Sequence, residues 1–540
     1  MNASKTVVWS PSIPIETLAS EFVGLAAPAG NGFKTLGSYF GSPEECDILC
    51  QKRVSKIRET IEAINQFENL HTRYYLLKMC GIYPRINYIM RTCPADLLPS
   101  SFVQLDSLLV ESITNLLPNV DLTAWHWKRI HNSVNFGGLQ LPSIACASPA
   151  AYTGSSFDSI NLQAKLLKLE PPLVLHHFRS SILPRFMSLV APEVIATISL
   201  PSGKAQQYLT GKLAQKALQD LLQVVDPQVS AYERKVLLTQ SSGVKGTAAI
   251  LHVAPVASSF HDHRLPNDVF LITIKQLLGL PVYTFEDKCH CCNAILDIYG
   301  VHASSCAGGS FTASRKHNGI RDRIHKLGID AGLQLEREVL HLLPGSNERP
   351  ADIFGHNLLD GKNVAYDVVV ASSCGSSGLW ENYNTKDVIN EAITEKNKSY
   401  LAKCAARSIK FIPLVFLSLG GHSDSFETLI TLLANRYAEK KRVTVSAASI
   451  HILAEVAVSV ANSQGMSILY RGYKSHCLPS FFNASDDSNF SNIFNTYVPA
   501  VLNSPSPLSQ STSLASFLYN CVNDILITCC KINLKNLKML

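Results

Sequence analysis

The sequence predicts a multidomain protein: a mostly α-helical N-terminal region, a small zinc knuckle and then an α/β domain. Three observations lead to this prediction. The run from Gln51 to Met79 has a helical pattern, four cysteine and histidine residues fall between Cys289 and Cys306, and strand-like runs begin near Gln334. The predicted boundaries are 1–150 and 151–280 for two helical regions, 281–310 for the knuckle, 311–475 for the α/β domain and 476–540 for a tail that is disordered or of little definite structure.

The knuckle prediction depends on ligand spacing. Two cysteines two residues apart are followed by a histidine and a third cysteine, an arrangement that closes two short turns around one tetrahedral zinc ion. The four ligands are Cys289, Cys292, His302 and Cys306. A chain with 15 cysteines also produces such a pair by chance, and His290 and Cys291 leave the choice of ligands open.

A basic amphipathic helix is predicted from Arg315 to Leu333. Its apolar residues recur at intervals of three or four, as expected for one buried face. They are Ile320, Ile324, Leu327 and Ala331. The opposite face carries Arg321, Arg323 and Lys326, which suits either plain solvation or contact with a phosphate backbone.

Three strand-like runs follow, and each carries a carboxylate. The runs are Gln334–Leu342 with Glu338, Pro350–Phe354 with Asp352, and Asn363–Ala371 with Asp367. The third run is apolar and β-branched, as in a buried central strand. An acid within such a strand is costly unless a cation or hydrogen bonds compensate its charge. Asp367 is therefore predicted to face a metal ion.

A helix capped by Asn384 and a further strand from Ile409 to Leu419 complete an α/β sandwich. Lys396 and Tyr400 lie one turn apart on that helix and share a face. Two converging carboxylates can bind Mg²⁺ or Mn²⁺, which assists attack of water on a phosphodiester, and a nearby lysine can position that water. The structural alternative is a buried ion network without chemistry.

These motifs together resemble the restriction-like endonuclease of site-preferring non-LTR (LINE-type) retrotransposons, a member of the PD-(D/E)-x-K nuclease superfamily. In that family a Cys-Cys-His-Cys knuckle leads into a basic helix, a first acid, a second acid on a neighbouring strand, and a lysine on the next helix. The resemblance implies catalytic roles for Asp352, Asp367, Lys396, Glu338 and Tyr400. It implies nucleic-acid contacts by Arg315, Lys316, His317, Asn318 and Arg321.

Two departures from the family pattern are visible. The first acid follows Pro350-Ala351 where the family has a direct Pro-Asp, and Val369 stands where the superfamily's usual lysine would be. The resemblance then assigns the lysine role to Lys396, with Lys398 as the second candidate.

The N-terminal 150 residues are similar to the end of a retroelement reverse-transcriptase palm and its thumb. Runs such as Arg73–Lys78 and Phe136–Pro142 carry this likeness; without it they indicate a helical bundle with a Gly-Gly turn. A polymerase needs paired aspartates on its palm, and the adjacent pair here, Asp486-Asp487, lies in a polar segment. We therefore expect no polymerase activity and a truncated or degraded element product.

Three functions remain open at this stage. The first is a Mg²⁺-dependent endonuclease that nicks target DNA, with the element's RNA as a further partner that the resemblance allows. The second is a catalytically dead nucleic-acid-binding relic, and the third is a zinc-stabilised interaction protein. Oligomeric state is left open.

Composition fits a soluble nuclear or cytoplasmic protein that has no membrane partner. The formal net charge of +6 permits nucleic-acid binding without requiring it, and no signal peptide is evident. The apolar run Val443–Ala461 contains Thr444, His451 and Glu455, which favours a packed helix over a membrane span. His261-Asp262-His263 could ligate a metal, although a polar loop is the commoner meaning of such a run.

Overall fold

The computed structural model describes residues 7–8, 17, 27–28, 32–187, 189, 200–224, 226–256, 262–306, 308, 310–343, 348–374, 382–474 and 477–478. By internal contacts the chain divides into two units, and the elements below belong to the first, Met1–Ala257 with His263–Asn483. The second unit is Ser258–Asp262 with Ala484–Leu540, of which Asp262 alone is described. Asp486-Asp487 and nearly all of the predicted tail thus lie outside the described residues.

The described chain is mostly helical, with small sheets. The helices before the knuckle are α1 Pro43–Asn65, α2 Leu70–Cys80, α3 Ile82–Thr92, α4 Pro99–Leu116, α5 Ala124–His131, α6 Ile144–Asp158, α7 Ile160–Leu167, α8 Pro171–His177, α9 Leu183–Met187, α10 Ala205–Gln223, α11 Ala231–Ser241 and α12 Asn267–Leu278. Short 3₁₀-helices occur at Ala95–Leu97, Val134–Phe136 and Ala249–His252. A short π-helix occurs at Phe178–Ile182. Two strand pairs precede α1: β1 Val7–Val8 with β2 Ala27–Pro28, and β3 Gly32–Thr35 with β4 Ser38–Gly41.

Helix α1 illustrates how the sequence pattern builds the first core. Pro43 lies in its first turn, and the Ser42 hydroxyl accepts a hydrogen bond from the Glu45 amide at 3.4 Å. Apolar residues spaced three or four apart are buried on one face: Cys46, Cys50, Val54, Ile57, Ile61 and Ile64. Burying one such large aliphatic side chain contributes roughly 1.5–3 kcal/mol. Packing of this face therefore stabilises the helix more than its intrinsic propensity does.

The Gly137-Gly138 turn is joined to α12 through Arg129. A Cβ atom on Gly138 would lie 2.1 Å from the carbonyl oxygen of Asn132, so only glycine fits there. Arg129 is fully buried and donates hydrogen bonds to the carbonyl oxygens of Leu277 and Leu278, each at 2.7 Å. These carbonyls belong to the end of α12, where a helix leaves acceptors without internal partners.

The knuckle region consists of a short antiparallel pair, β5 Asp287–Lys288 with β6 Ile295–Leu296, and the helix α13 Val301–Ser305. The Asp297 carboxylate accepts hydrogen bonds from the amides of Val301 at 3.0 Å and His302 at 2.7 Å. These bonds cap α13 and fix the start of the helix that carries His302.

The α/β part follows in the element order helix, three strands, helix, strand. The elements are α14 Ser310–Asp330, β7 Leu335–Arg337, β8 Ile353–Leu359, β9 Lys362–Ala371, α15 Thr385–Ala405 and β10 Ile409–Leu417. The four strands form one sheet in the order β10-β9-β8-β7; the first three in sequence are antiparallel, and β10 runs parallel to β9. A parallel neighbour requires a crossover, which α15 provides.

These elements match the predicted order, with shifted boundaries. Helix α14 begins and ends a few residues earlier than predicted, and its apolar face, Ile320, Ile324, Leu327 and Ala331, is buried as expected. Strand β7 ends at Arg337, well before Leu342, because Glu338 and His341 adopt positive φ angles of 49° and 61°. Strand β8 begins only at Ile353 and continues to Leu359.

The last two helices of the described chain are α16 Asp424–Lys441 and α17 Val445–Lys474. Helix α17 packs against α14 and α16 on the α/β side and against α12 on the other. Among the described residues it is the helix long and apolar enough, by length and composition, to cross a membrane. In this structure it carries buried polar side chains, Glu455, Gln464, Ser467 and Arg471, and serves as the packed helix that the sequence predicts.

Candidate active site and metal-binding cluster

Asp352 and Asp367 come from neighbouring strands of the sheet. Asp352 immediately precedes β8, and its amide donates to the Tyr366 carbonyl at 2.9 Å. Asp367 lies within β9, opposite Pro413 of β10. The Asp352 carboxylate reaches across to β9, where its Oδ2 accepts a hydrogen bond from the Val368 amide at 2.6 Å. The antiparallel pairing therefore brings the two predicted acids together.

Asp367 is buried, with 4% of its surface exposed, and faces a cation from the crossover helix. Lys396 Nζ lies 3.0 Å from Oδ2 and 3.2 Å from Oδ1, and it donates its hydrogen bond to Oδ1. Within the described part of the chain no hydrogen bond reaches the buried Oδ2. Burial raises the pKa of Asp367 above its ordinary value, although the Lys396 ammonium acts in the opposite direction.

His317 of α14 contacts Asp352, the first of these acids. Its Nε2 donates to Asp352 Oδ2 at 2.8 Å, and its Nδ1 lies 3.2 Å from Asn318 Oδ1. Burial lowers the pKa of His317, but the hydrogen bond and charge of Asp352 outweigh burial, so the net pKa is raised. His317 was predicted to contact nucleic acid; in this structure it holds one of the two acids.

Glu338 and Tyr400, the other predicted catalytic residues, direct their side chains to other partners, although the Glu338 amide donates to the Asp352 carbonyl at 3.1 Å. Glu338 follows β7 with its side chain 44% exposed; it forms ion pairs with Arg321 and, at 3.5 Å, with Arg349. Tyr400 packs its ring against Phe411 at 5.6 Å in a small apolar cluster. Nothing in these contacts brings either residue to Asp367.

The two alternative lysine positions have different surroundings. Lys398 faces an open cavity of about 450 Å³ with Asp387 and Glu391 on another face of α15. Val369, at the superfamily's usual lysine position, packs with Val415 and its apolar neighbours. Lys396 is thus the lysine of these candidates that contacts Asp367.

The basic helix α14 exposes fewer charges than its sequence suggests. Lys316 is 7% exposed, and its ammonium donates to the Ser304 carbonyl beside the knuckle. Burial lowers the pKa of Lys316 to about 8. Arg321 pairs with Asp322 and Glu338, while Arg323 pairs with Glu455 at 2.9 Å. The Arg315 side chain lies outside the described residues.

The four predicted zinc ligands converge. Their ligand atoms lie within 4.8 Å of one another. Cys289 and Cys306 sulfurs are 3.8 Å apart, Cys292 and Cys306 sulfurs 3.5 Å, and Cys292 Sγ lies 3.2 Å from His302 Nε2. A tetrahedral zinc with Zn–S bonds of about 2.3 Å separates its sulfur ligands by about 3.8 Å. The cluster could therefore bind a zinc ion with little rearrangement.

A second grouping shares one of these ligands. Cys289, His290 and Cys291 also lie within 4.8 Å of one another, but they offer three ligand atoms against the four of the first set. Structural zinc sites are almost always closed by four protein ligands. The first set is therefore the better candidate.

No protein-family model matches this chain, and no curated protein matches it at a significant level. Function is therefore inferred from the residues and their geometry.

Arg471 is a contributor to the knuckle that the sequence did not reveal. It is fully buried on α17, and its guanidinium donates to Cys289 Sγ at 3.1 Å and to the Gly308 carbonyl at 2.8 Å. Burial lowers the pKa of Arg471, but the neighbouring thiols of Cys306 and Cys289 raise it more. The available signal was an arginine within a long, mostly apolar helix, because a buried cation needs partners.

Proposed function

We propose that this chain is a metal-dependent endonuclease that hydrolyses phosphodiester bonds in DNA. The observation that carries the proposal is the buried Asp367 within β9, paired with Lys396 and adjacent to Asp352. Perturbed acids with a specific cationic partner are enriched at catalytic sites, although structural ion networks also contain them.

The arrangement along the chain supports the same proposal. The family that the sequence resembles has a first acid, a second acid on a neighbouring strand and a lysine on the next helix. Asp352 lies immediately before β8, Asp367 lies within β9 and Lys396 lies within α15. A cysteine-histidine cluster precedes them, as in that family.

The donor set fits a hard divalent cation. Asp352 and Asp367 would hold it, since carboxylate oxygens are preferred ligands of Mg²⁺ and Mn²⁺. The Lys396 ammonium lies 3.0 Å from the buried Asp367 Oδ2, so this oxygen is positioned to face a positive charge. When bound, the cation would stabilise charge developing on the phosphate and lower the pKa of a bound water.

Two side chains would assist in different ways. Lys396 is 34% exposed, so its ammonium is accessible to a substrate, and it would orient the attacking water and offset the charge developing on the phosphate. His317 would orient the Asp352 carboxylate through their 2.8 Å hydrogen bond. Its raised pKa increases its positive charge, which also suits a phosphate substrate.

The test is nicking of supercoiled plasmid by the full chain, with Mg²⁺ or Mn²⁺, against Asp367→Asn. We expect metal-dependent nicking that the substitution lowers by at least about 10³-fold and that a chelator abolishes. The matched control is Asp360→Asn, because Asp360 is exposed in the turn between β8 and β9, and its φ of 52° is one that asparagine tolerates. This control should nick as the wild type does.

Other outcomes point to the alternatives. Zinc-loaded wild type that does not nick but binds DNA, with affinity falling steeply as salt rises, would favour a catalytically dead binding relic. Folded protein with neither activity would favour a zinc-stabilised interaction protein. Equal nicking by wild type and Asp367→Asn would refute the proposed active site.

A further inference from the structure

Two histidines and a glutamate from separate segments meet beside α17. His263 lies in the loop before α12, while His451 and Glu455 lie one turn apart on α17. Their ligand atoms lie within 4.8 Å of one another, and His263 Nε2 is 3.1 Å from Glu455 Oε1. We propose that these three residues form a second metal site, for Zn²⁺ or a similar borderline transition metal.

The separations are close to those that an ion requires. With Zn–N and Zn–O bonds of about 2.0–2.1 Å, two tetrahedral ligand atoms lie about 3.3 Å apart, near the observed 3.1 Å between His263 and Glu455. The His263 and His451 ring centroids are 6.3 Å apart. Two imidazoles on one zinc would have centroids about 5 Å apart, so binding requires the rings to close by roughly 1 Å.

The helix positions the second pair of ligands by its own periodicity. Residues four apart lie on one face of an α-helix, so His451 and Glu455 project in the same direction. Glu455 is almost fully buried, with 4% of its side chain exposed, and His263 has 13% exposed. A partly dry pocket strengthens ligand-metal attraction and still leaves an approach for the ion.

Arg323 pairs with the oxygen of Glu455 that points away from His263, and metal-ligating carboxylates usually have such a second partner. Its NH1 lies 2.9 Å from Glu455 Oε2, which leaves Oε1 directed at His263. A carboxylate whose outer oxygen is fixed by a cation presents its inner oxygen in a defined direction.

A simple ion pair does not account for the whole cluster. Arg323 already neutralises Glu455, so the carboxylate needs no second cation, yet two imidazoles approach it. Imidazoles with one carboxylate favour zinc-like ions, whereas Mg²⁺ and Ca²⁺ favour all-oxygen sites. Three protein ligands leave a fourth position for water. The ion would tie the loop before α12 to α17 and, through Arg323, to α14.

The experiment is a Co²⁺ titration of the metal-depleted full chain with excess Mg²⁺ present to occupy the carboxylate site. We expect about two equivalents to bind. The knuckle equivalent gives thiolate-to-cobalt charge transfer; the other gives weaker visible bands without it, because its ligands contain no sulfur. Zinc content of the purified protein, measured by mass spectrometry, should likewise be about two per chain.

His451→Gln should remove the equivalent that lacks thiolate charge transfer and leave the knuckle signal intact. His356→Gln is the matched control, since His356 pairs with Glu336 elsewhere on the sheet, and it should keep both. Wild type that binds one equivalent overturns the proposal whether or not the variant folds. So does a second equivalent that Asp367→Asn removes and His451→Gln does not.

Discussion

The knuckle and the carboxylate site differ in how the chain assembles them. All four knuckle ligands lie within Cys289–Cys306 and are positioned by one short hairpin and one short helix. The carboxylate site takes Asp352, Asp367 and Lys396 from two strands and a crossover helix. The spacing of ligands in the sequence is enough to predict a local site, whereas predicting a distributed site requires knowledge of the sheet topology.

The two sites also differ in the cation that contacts their candidate ligands. Knuckle sulfurs approach one another at 3.5–3.8 Å with Arg471 as the nearby cation. In the carboxylate site Lys396 itself lies against Asp367. A zinc ion would therefore supply most of the cohesion of the first site, whereas the second holds an internal counter-charge. The following predictions test this contrast, in order of expected effect.

The largest effect is expected from Lys396→Met. The substitution removes the ammonium beside the acids, and we expect plasmid nicking to fall by about 10²–10³-fold, as for loss of a group that stabilises developing charge. Thermal unfolding should also occur at a lower temperature, because Asp367 would stay buried without its partner. Lys398→Met is the control, since Lys398 lies on another face of α15, and equal losses in both variants would contradict the assignment.

Cys292→Ser should abolish zinc binding at the knuckle. With one of four ligands replaced, we expect the zinc content to fall by about one per chain and the free energy of unfolding by on the order of 3 kcal/mol. Cys291→Ser changes the exposed neighbouring thiol and should keep the zinc. Loss of zinc in Cys291→Ser instead would support the alternative ligand grouping.

Arg471→Met should weaken the knuckle without emptying it. The guanidinium supports a zinc ligand from outside, and loss of such support typically lowers metal affinity by about 10–100-fold. Competition with a chromophoric chelator measures this change. Lys474→Met, three residues later on α17, controls for net charge, and an equal loss in that variant would argue against a specific role for Arg471.

The smallest effect is expected from Glu338→Gln. This exposed carboxylate pairs with Arg321 and Arg349, and nothing brings it to Asp367, so we expect nicking to change by less than about threefold. In parallel, we expect the nicking activity of Asp352→Asn to fall by at least about 10²-fold. A comparable loss in Glu338→Gln would return Glu338 to the catalytic group that the resemblance implies.

The sequence predicted the α/β part well where periodicity was clear. The apolar face of α14 and the buried strand β9 follow from spacing and β-branched content. The predicted strand that corresponds to β7 was too long at its C-terminal end. A single residue with positive φ ends a strand without changing the apolar pattern of the sequence.

The sequence could not predict which groups the charged side chains contact. Lys316 and Arg321 were predicted to contact nucleic acid, but they are buried against Ser304 and Glu338. Long cationic side chains reach several ångströms from their helix, so position on the helix does not determine which acceptor they meet. Arg471 was missed for the same reason, since its sulfur partner is far away in sequence.

The span of the first hydrophobic core has a consequence for the order of synthesis. This one cluster of buried side chains includes Tyr39 near one end of the described chain and Ile468 and Leu478 near the other. During synthesis the early helices emerge from the ribosome long before α17, so the apolar faces that pack against α17 stay exposed until it has been made. Contacts between residues so distant in sequence form slowly, and exposed apolar surfaces are prone to aggregation. We therefore expect the yield of the folded chain to increase when chaperones are supplied.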